Sequence, residues 1–277
     1  MPELPEVQTI VDDLNKKVIG AQIVQVIYTD EGKKLISKGD QDLSDILPGE
    51  KITRAQRRAK YLILNLSGGR NLIIHLKLTG QLFVRPQNYA TEPFTRLILK
   101  LDDKREIRFA DREGYSEVVL ADGIDKVEPN LGPEPFEISE QTFTDNLLAT
   151  KLGTIKEALI DQKVISGIGN IYVDEALYLA KINPFRPPHS LSKAETQKLL
   201  RSIKETLKSG LEHRGTTIDS YRDTDGKPGT HQFHLLVYGK AGLPCKRCAT
   251  RIAYTEISGR RTHFCPTCQP KDQLSLF

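Results

Sequence analysis

The chain has 277 residues, of which 38% are hydrophobic and 27% charged, and its formal net charge is +4. That length favours two domains over one, and no apolar run approaches the roughly 20 residues of a membrane-spanning helix. The N-terminus lacks a basic segment followed by an apolar one, so we expect no signal peptide and a cytoplasmic protein.

The charge is unevenly distributed along the chain. Residues 151–277 carry 20 Lys and Arg against 12 Asp and Glu, whereas residues 1–150 carry 20 against 24. A basic half is typical of proteins that bind a polyanion such as nucleic acid. A solvated basic surface without a partner fits the same charge distribution.

The first predicted element is an amphipathic helix over residues 5–18, which has apolar residues at helical spacing and ends before Gly20. From residue 21 to about residue 127, short apolar runs separated by turn signals predict strands. These runs are residues 22–28, 61–66, 71–76, 97–101, 106–109 and 116–120. Because no helices alternate with them, they favour an antiparallel sandwich or barrel. Gly68-Gly69 predicts a hairpin between two of the runs.

A Pro- and Gly-rich stretch at residues 128–135 marks the predicted domain boundary. Helical periodicity returns beyond it, at residues 155–160 and 171–180. Ser192 and Glu195 then form a capping box that begins a long helix.

A long loop and a cysteine motif follow this helix. Residues 214–233 have the composition of turns and predict a mobile loop, since loops of that length are typically functional or disordered. All four cysteines come after it, in the pattern Cys245-x2-Cys248-x16-Cys265-x2-Cys268. Disulfides are not expected without secretion, and this spacing is that of a closed, structural four-thiolate zinc site. We therefore expect one zinc ion in a β-rich module that includes residues 234–238.

The first residues offer a nucleophile. Removal of Met1 ahead of the small residue Pro2 would leave a secondary amine, and an α-amino group with a pKa near ~8 is partly uncharged at neutral pH. Such an amine can attack a sugar C1′ to give an iminium ion, and Glu3 is placed to move protons there. The same residues also fit an ordinary helix start, with Pro5 in the first turn and Glu6 favoured by the helix dipole.

Three further segments carry groups that suit phosphate. Residues 167–170 precede a predicted helix, so its N-terminal N–H groups and the Asn170 side chain fit an anion, although a tight helix–helix turn is the alternative. Arg260 and Arg261 lie between the cysteine pairs, where a hairpin tip would present them to a groove. Plain surface charge explains those two arginines as well. The basic stretch at residues 54–60 precedes a strand and fits a solvated edge.

Together these motifs resemble those of bacterial formamidopyrimidine-DNA glycosylases, in order from residue 1 to about residue 270. The resemblance rests on Pro-Glu-Leu-Pro-Glu-Val at residues 2–7, Arg-Arg-Ala-Lys-Tyr at 57–61, His-Leu-Lys-Leu-Thr-Gly at 75–80, Leu-Gly-Pro-Glu-Pro at 131–135, Gly-Ile-Gly-Asn-Ile-Tyr at 167–172, Asp-Gly-Lys-Pro-Gly at 225–229, Val-Tyr-Gly at 237–239 and the four cysteines. It implies an α+β multidomain fold.

The domains implied by the resemblance are an N-terminal catalytic antiparallel β-sandwich flanked by helices (residues 1–135), a linker (136–150), a helix–two-turn–helix DNA-binding domain (151–233) and a C-terminal β-hairpin four-cysteine zinc finger (234–270). Within the third domain, residues 214–233 match the loop that closes over an extruded lesion, here called the capping loop. Extrusion is required because C1′ is inaccessible while the base is stacked.

The resemblance also implies a bifunctional enzyme acting on damaged double-stranded DNA. It would excise 8-oxoguanine and formamidopyrimidines and then cut the strand by β- and δ-elimination. Pro2 matches the Schiff-base nucleophile of the family, and Glu3 matches its acid/base. Lys60 matches a lysine that assists proton transfer and contacts the lesion phosphate. Arg260 matches the zinc-finger arginine that grips phosphate and takes part in elimination.

Further DNA contacts are implied by position. Asn170 matches a phosphate-binding asparagine, and Lys151 and Lys156 fall in a lysine-bearing segment that touches DNA. His75 and Tyr238 lie in the motifs at residues 75–80 and 237–239 and are also predicted to contact DNA.

The family fills the gap left by the flipped nucleotide with a wedge of Met, Arg and Phe, and this chain departs from that pattern. Leu78 takes the Met position. An ungapped match puts Glu113 at the Arg position and Tyr115 at the Phe position, whereas a one-residue shift restores Arg112 but leaves Gly114 in place of the ring. Either alignment leaves the wedge altered, and the residues predicted to contact DNA in these loops are Leu78, Arg112 and Tyr115.

Three other functions fit parts of the sequence. An endonuclease VIII-like enzyme would prefer oxidised pyrimidines, but Leu4 and the motif at residues 225–229 favour the purine enzyme. A non-catalytic damaged-DNA-binding protein would not need a free amine beside a carboxylate. A DNA-free zinc-ribbon module does not account for the basic half. We expect a monomer that uses no membrane and no small-molecule cofactor.

Overall fold

A computed structural model describes residues 1–29, 32, 42–126 and 128–271. The chain divides into two compact units. The first consists of Met1–Pro129 with Gly210–Gln232, and the second of Asn130–Ser209 with Phe233–Phe277. Among the described residues, no helix is both long and apolar enough to cross a membrane.

The first unit contains two four-stranded antiparallel sheets. Its elements are α1 (Leu4–Lys17), β1 (Ile23–Tyr28), α2 (Leu43–Ile46), β2 (Ile52–Arg58), β3 (Tyr61–Leu66), β4 (Asn71–His75), β5 (Gly80–Pro86), β6 (Thr95–Leu101), β7 (Arg105–Asp111) and β8 (Glu117–Ala121). The strand orders are β1-β6-β7-β5 and β2-β3-β4-β8. The predicted hairpin at Gly68-Gly69 joins β3 to β4, with Asn65 opposite Asn71.

The core of this unit is formed by α1 and alternate residues of both sheets. In β6, for example, Leu97, Leu99 and Leu101 are buried while the residues between them are partly exposed. The apolar face of α1 joins the same cluster through Val7, Ile10 and Leu14. The alternation is that of strands with one face on a core, so the predicted antiparallel β-sandwich is confirmed.

Two strands of this unit were not predicted. β2 contains Arg54, Arg57 and Arg58, which the sequence assigned to a charged stretch before a strand, and it forms the edge of its sheet. An edge strand tolerates charges because one side of it faces water. β5 was not predicted because Gly80 and Arg85 interrupt the apolar pattern expected of a strand.

The second unit is mainly helical and ends in a two-stranded hairpin. Its elements are α3 (Glu140–Ala149), α4 (Ile155–Ile160), α5 (Asn170–Ala180), α6 (Lys193–Glu212, whose last residues belong to the first unit), β9 (Ala253–Ile257) and β10 (Arg260–Phe264). The Ser192–Glu195 capping box is present, since Ser192 N donates to Glu195 at 2.8 Å. Residues assigned to a linker form α3, in which only Phe143 and Leu147 are buried.

The β-rich module is smaller than expected, because residues 234–238 form no strand. The backbone N–H groups of Leu236, Val237 and Tyr238 instead donate to the Glu175 carboxylate at 2.7–2.8 Å. This carboxylate is buried on α5, and it satisfies three donors that a neighbouring strand would otherwise have to satisfy.

Candidate active site and nucleic-acid interface

The chain's first helix positions the proposed acid/base residue. Glu3 is the N-cap of α1 and forms a capping box with Glu6: each side chain accepts the backbone N–H of the other residue. Both carboxylates are buried, Glu3 at 2% exposure and Glu6 at 1%. Pro2 precedes the cap and is buried beneath the exposed Met1. A carboxylate is thus fixed one residue from the predicted nucleophile, at the positive end of a helix dipole.

Glu6 also holds the start of the capping loop. Its Oε1 accepts the Thr216 backbone N–H at 2.6 Å. At Gly215, where φ is +84°, an added Cβ would lie 2.9 Å from Glu6 Oε1. The loop therefore passes close to the first helix, and glycine provides both the backbone conformation and the space.

Within the first unit, cations hold the middle of the capping loop against α1 and β5. Arg85 donates to the Thr224 carbonyl at 2.9 Å, and Val84 N donates to the same oxygen at 3.0 Å. Lys17 of α1 also contacts Thr224 and Asp225, and Arg214, at the start of the loop, pairs with Asp13 of α1 and with Asp223 inside the loop. The sequence predicted a loop here but not these attachments.

Lys60 lies in the turn between β2 and β3 and is 5% exposed. The turn requires Ala59 at φ +52°, and Arg57 supports it by donating to the Ala59 carbonyl at 2.9 Å. His75 on β4 packs edge-on against Tyr61, with ring centroids 4.5 Å apart. Burial, aided by the charges of Lys77 and Lys60, lowers the His75 pKa from 6.5 to about 3. His75 is therefore neutral, and its Nδ1 accepts the Lys77 N–H at 3.0 Å.

The three predicted wedge residues all reach solvent. Leu78 is 50% exposed and Tyr115 is 60% exposed. Arg112 pairs with Glu113 and with Asp219 of the capping loop, each at 3.1 Å. All three residues lie in loops, and their side chains are accessible from solvent, as insertion between bases requires.

The loop of residues 111–115, which contains Arg112 and Tyr115, is shaped by a residue that the sequence analysis did not single out. Asp111 is 1% exposed, and its carboxylate accepts Thr79 Oγ1 and the Ser116 backbone N–H. These hydrogen bonds hold the pKa of Asp111 below its usual value although burial raises it. Gly114 has φ +73°, a conformation that other residues adopt with strain.

In the second unit, Asn170 begins α5 after Gly169. Its side-chain nitrogen donates to the Arg261 carbonyl at 3.0 Å, so this amide contacts the hairpin. Lys151 is exposed. Lys156 is fully buried and paired with Asp174, so its ammonium has a partner inside the second unit, and its contact with DNA stays a prediction.

The zinc site is formed by the four cysteines. Their Sγ atoms all lie within 4.8 Å of one another, with separations of 3.5 Å for Cys248–Cys265 and 3.9 Å for Cys245–Cys268. Four thiolates at about 2.3 Å from a tetrahedral zinc would be about 3.8 Å apart, so the residues fit the metal. Zinc here has no open position and supplies no chemistry beyond holding the module together.

The zinc module presents Arg260 as predicted for a hairpin. Ser258 and Gly259 have φ +49° and +73°, the signature of a two-residue type I′ turn. Arg260 follows this turn directly as the first residue of β10. Tyr238 stacks obliquely on His263, with ring centroids 4.9 Å apart. Pro2, Glu3 and Lys60 thus belong to one unit, and Arg260, Asn170 and Lys151 to the other.

Comparison with known proteins identifies relatives along the whole chain. Family models match residues 1–118 (formamidopyrimidine-DNA glycosylase N-terminal domain), 131–222 (formamidopyrimidine-DNA glycosylase H2TH domain) and 242–271 (zinc finger found in FPG and IleRS). A formamidopyrimidine-DNA glycosylase of Herpetosiphon aurantiacus is 39% identical over 97% of this chain and 100% of that protein.

Solved structures agree with these matches. A Lactococcus lactis FPG mutant in complex with Fapy-dG-containing DNA has a TM-score of 0.89 and 34% identity, covering 98% of this chain and 100% of that one. The FPG protein from Thermus thermophilus has a TM-score of 0.86 and 36% identity, covering 97% and 98%.

Proposed function

The chain belongs to the formamidopyrimidine-DNA glycosylase family and is a DNA-binding glycosylase of DNA repair; on that premise we propose that it excises oxidised purines and then cuts the strand as a lyase. The observation that carries this proposal is the buried Glu3 carboxylate at the N-cap of α1, one residue from Pro2.

The reaction begins when the Pro2 nitrogen attacks C1′ of the damaged nucleotide. A C1′–N bond forms, the glycosidic bond breaks, and its electron pair leaves with the base, which takes up a proton. The Pro2 nitrogen then loses its proton, the C1′–O4′ bond breaks as O4′ takes up a proton, and the sugar ring opens to leave an iminium ion. This cation makes the C2′ proton acidic. Loss of that proton breaks the C3′–O bond, and a second elimination breaks the C5′–O bond. Glu3 exchanges protons with the sugar, and Lys60 assists at the lesion phosphate.

A solved relative and this chain's own wedge both bear on the substrate preference. The Lactococcus lactis FPG mutant was solved with Fapy-dG-containing DNA, which supports an oxidised purine substrate. Leu78, Arg112 and Tyr115 would fill the space left by the extruded nucleotide, and the capping loop would cover the extruded base. The zinc module would present Arg260, and Lys151 and Asn170 would contact the strand. We propose a monomeric, cytoplasmic enzyme.

A strand-cleavage assay of the Glu3→Gln variant tests this proposal. The substrate is a duplex with 8-oxoguanine opposite cytosine. Glutamine keeps an oxygen for the Glu6 N–H but cannot transfer a proton, so the rate should fall roughly 10²- to 10⁴-fold while the melting temperature changes little. Equal rates for the variant and the wild type would refute the role of Glu3. Cleavage only with an oxidised pyrimidine would identify the endonuclease VIII-like activity, and tight binding without cleavage a non-catalytic protein.

A further inference from the structure

The outer edge of β10 needs partners that β9 does not supply. Arg260 pairs with Ile257 across the two-residue turn, and in such hairpins the flanking pair exchanges hydrogen bonds. The backbone groups of alternate residues therefore point away from the partner strand. In β10 these outward groups include the Arg261 carbonyl and the His263 N–H.

Helix α5 supplies both partners from one face. Asn170 donates to the Arg261 carbonyl at 3.0 Å, and the Asp174 Oδ2 atom accepts the His263 N–H at 2.8 Å. Residues four apart on a helix lie about 5–6 Å from each other, and residues two apart on a strand about 6.8 Å. The two spacings match closely enough for one helix face to bind one strand edge.

Asp174 is held in place by Lys156. The Lys156 ammonium pairs with Asp174 Oδ1, and both side chains are 0% exposed. The same ammonium donates to the Asn170 carbonyl at 3.2 Å. A second link, between Ser258 and Glu157, holds the turn of the hairpin. Because a buried ion pair is costly to break from one side, Asp174 has little freedom to move away from the strand.

We propose that Asp174 is a positioning residue that fixes the edge of β10 and thereby the direction in which Arg260 projects. Asp174 does not touch the reacting atoms. The effect of Asp174 on catalysis rests on the proposed function, because the direction of Arg260 affects a reaction rate only if the protein cleaves DNA. The hydrogen bond to the His263 N–H can be tested without that assumption.

Asp174 Oδ2 contacts both the N–H and the ring Nδ1 of His263, at 2.8 and 3.2 Å, and a matched pair of double variants tests these contacts. Both carry Lys156→Met, so that neither retains an unpaired buried ammonium. Asp174→Asn keeps an oxygen for the His263 N–H, whereas Asp174→Ala does not. Zinc content and melting temperature of the full-length proteins are measured first, and one zinc per chain is expected in both.

Amide hydrogen exchange is the first readout. His263 should exchange at least about tenfold faster in the alanine variant than in the asparagine variant, since it loses its acceptor. The Thr262 N–H, which β9 can satisfy, is the internal reference and should change much less. Equal exchange of His263 in the two variants would overturn the proposal, whatever the enzyme does.

A double-mutant cycle with Arg260→Ala is the second readout. The measured quantity is the rate of single-turnover cleavage of abasic DNA. If Asp174 positions Arg260, adding Arg260→Ala should lower this rate strongly in the wild type and in the asparagine variant. In the alanine variant the same addition should lower the rate less than tenfold. If Arg260→Ala lowers the rate by the same factor in the asparagine and alanine variants, the contribution of Arg260 to cleavage does not depend on Asp174. A wild type that fails to cleave would refute the proposed function and leave the exchange result standing.

Discussion

The Glu6 carboxylate accepts the Thr216 backbone N–H at 2.6 Å, so the first helix directly holds the capping loop. Its other oxygen accepts the Glu3 N–H at 2.7 Å. One buried side chain therefore links the proposed catalytic N-terminus to the loop proposed to cover the lesion.

Replacing Glu6 by glutamine should break one of these two hydrogen bonds, because the amide offers one acceptor where the carboxylate offers two. A buried donor left unpaired costs about 1–3 kcal/mol. Urea unfolding should show a loss of that size, together with slower cleavage. Asp12→Asn, at an exposed position of the same helix, should stay within about 0.5 kcal/mol of the wild type. Equal stability of the two variants would contradict this account of Glu6.

His75 should make the protein less stable in acid. Its pKa is about 3 in the folded protein and 6.5 when unperturbed, so below pH 6.5 the unfolded chain binds a proton that the folded chain does not. The stability contribution of neutral His75 is complete above about pH 6.5. It decreases towards pH 3 by up to about 1.4 kcal/mol per pH unit.

The free energy of unfolding, measured between pH 7 and pH 4, checks this expectation. His75→Asn keeps an acceptor for the Lys77 N–H but does not titrate, so it should flatten the pH dependence. His189→Asn alters an exposed histidine and should leave the dependence unchanged. An unaltered slope in His75→Asn would show that other groups govern acid unfolding.

Gly229 should be intolerant of a side chain. An added Cβ would lie 2.1 Å from the Gly215 carbonyl oxygen, whereas one at Gly123 would meet nothing within 4 Å. Gly229→Ala therefore forces the two ends of the capping loop apart and should cost about 1–3 kcal/mol as well as activity. Gly123→Ala serves as the control. Thermal unfolding of both variants measures the difference, and equal melting temperatures would contradict the close approach.

The sequence predicted elements that depend on a regular local pattern. Helix α1 has apolar residues at helical spacing, and the zinc site has four cysteines at a characteristic spacing, so both could be recognised without the structure. The motifs that predicted the site residues are likewise contiguous. Pro2 and Glu3 adjoin each other, and Lys60 ends a short basic run.

The missed features depend on partners distant in the chain. β2 is a strand because β3 pairs with it, although it contains one exposed and two half-buried arginines. The role of Asp174 becomes visible only when β10 lies against α5, although its spacing of four from Asn170 was available as a signal. Lys156 was predicted to touch DNA from its position in a lysine-bearing segment of the family, and its pairing with Asp174 could not be seen from the sequence.

Lys151 should contribute to DNA affinity through charge alone. Each phosphate contact releases a counterion, so Lys151→Ala should reduce the slope of log affinity against log salt by about 0.9. Lys151→Arg preserves the charge and should keep the wild-type slope. Fluorescence anisotropy with a short duplex at several salt concentrations measures both. A slope that does not change in Lys151→Ala would remove this residue from the interface.

Borohydride trapping tests the central claim, that Pro2 is the nucleophile, most directly. The wild-type protein, its N-terminus established by intact mass, is incubated with a duplex that carries 8-oxoguanine opposite cytosine, and the reductant is added during the reaction. Reduction of the iminium ion should leave one covalent adduct per chain, and peptide mapping should locate it at Pro2 in protein that has lost Met1. An adduct on a lysine such as Lys60, or no adduct from protein with a free Pro2, would contradict the account.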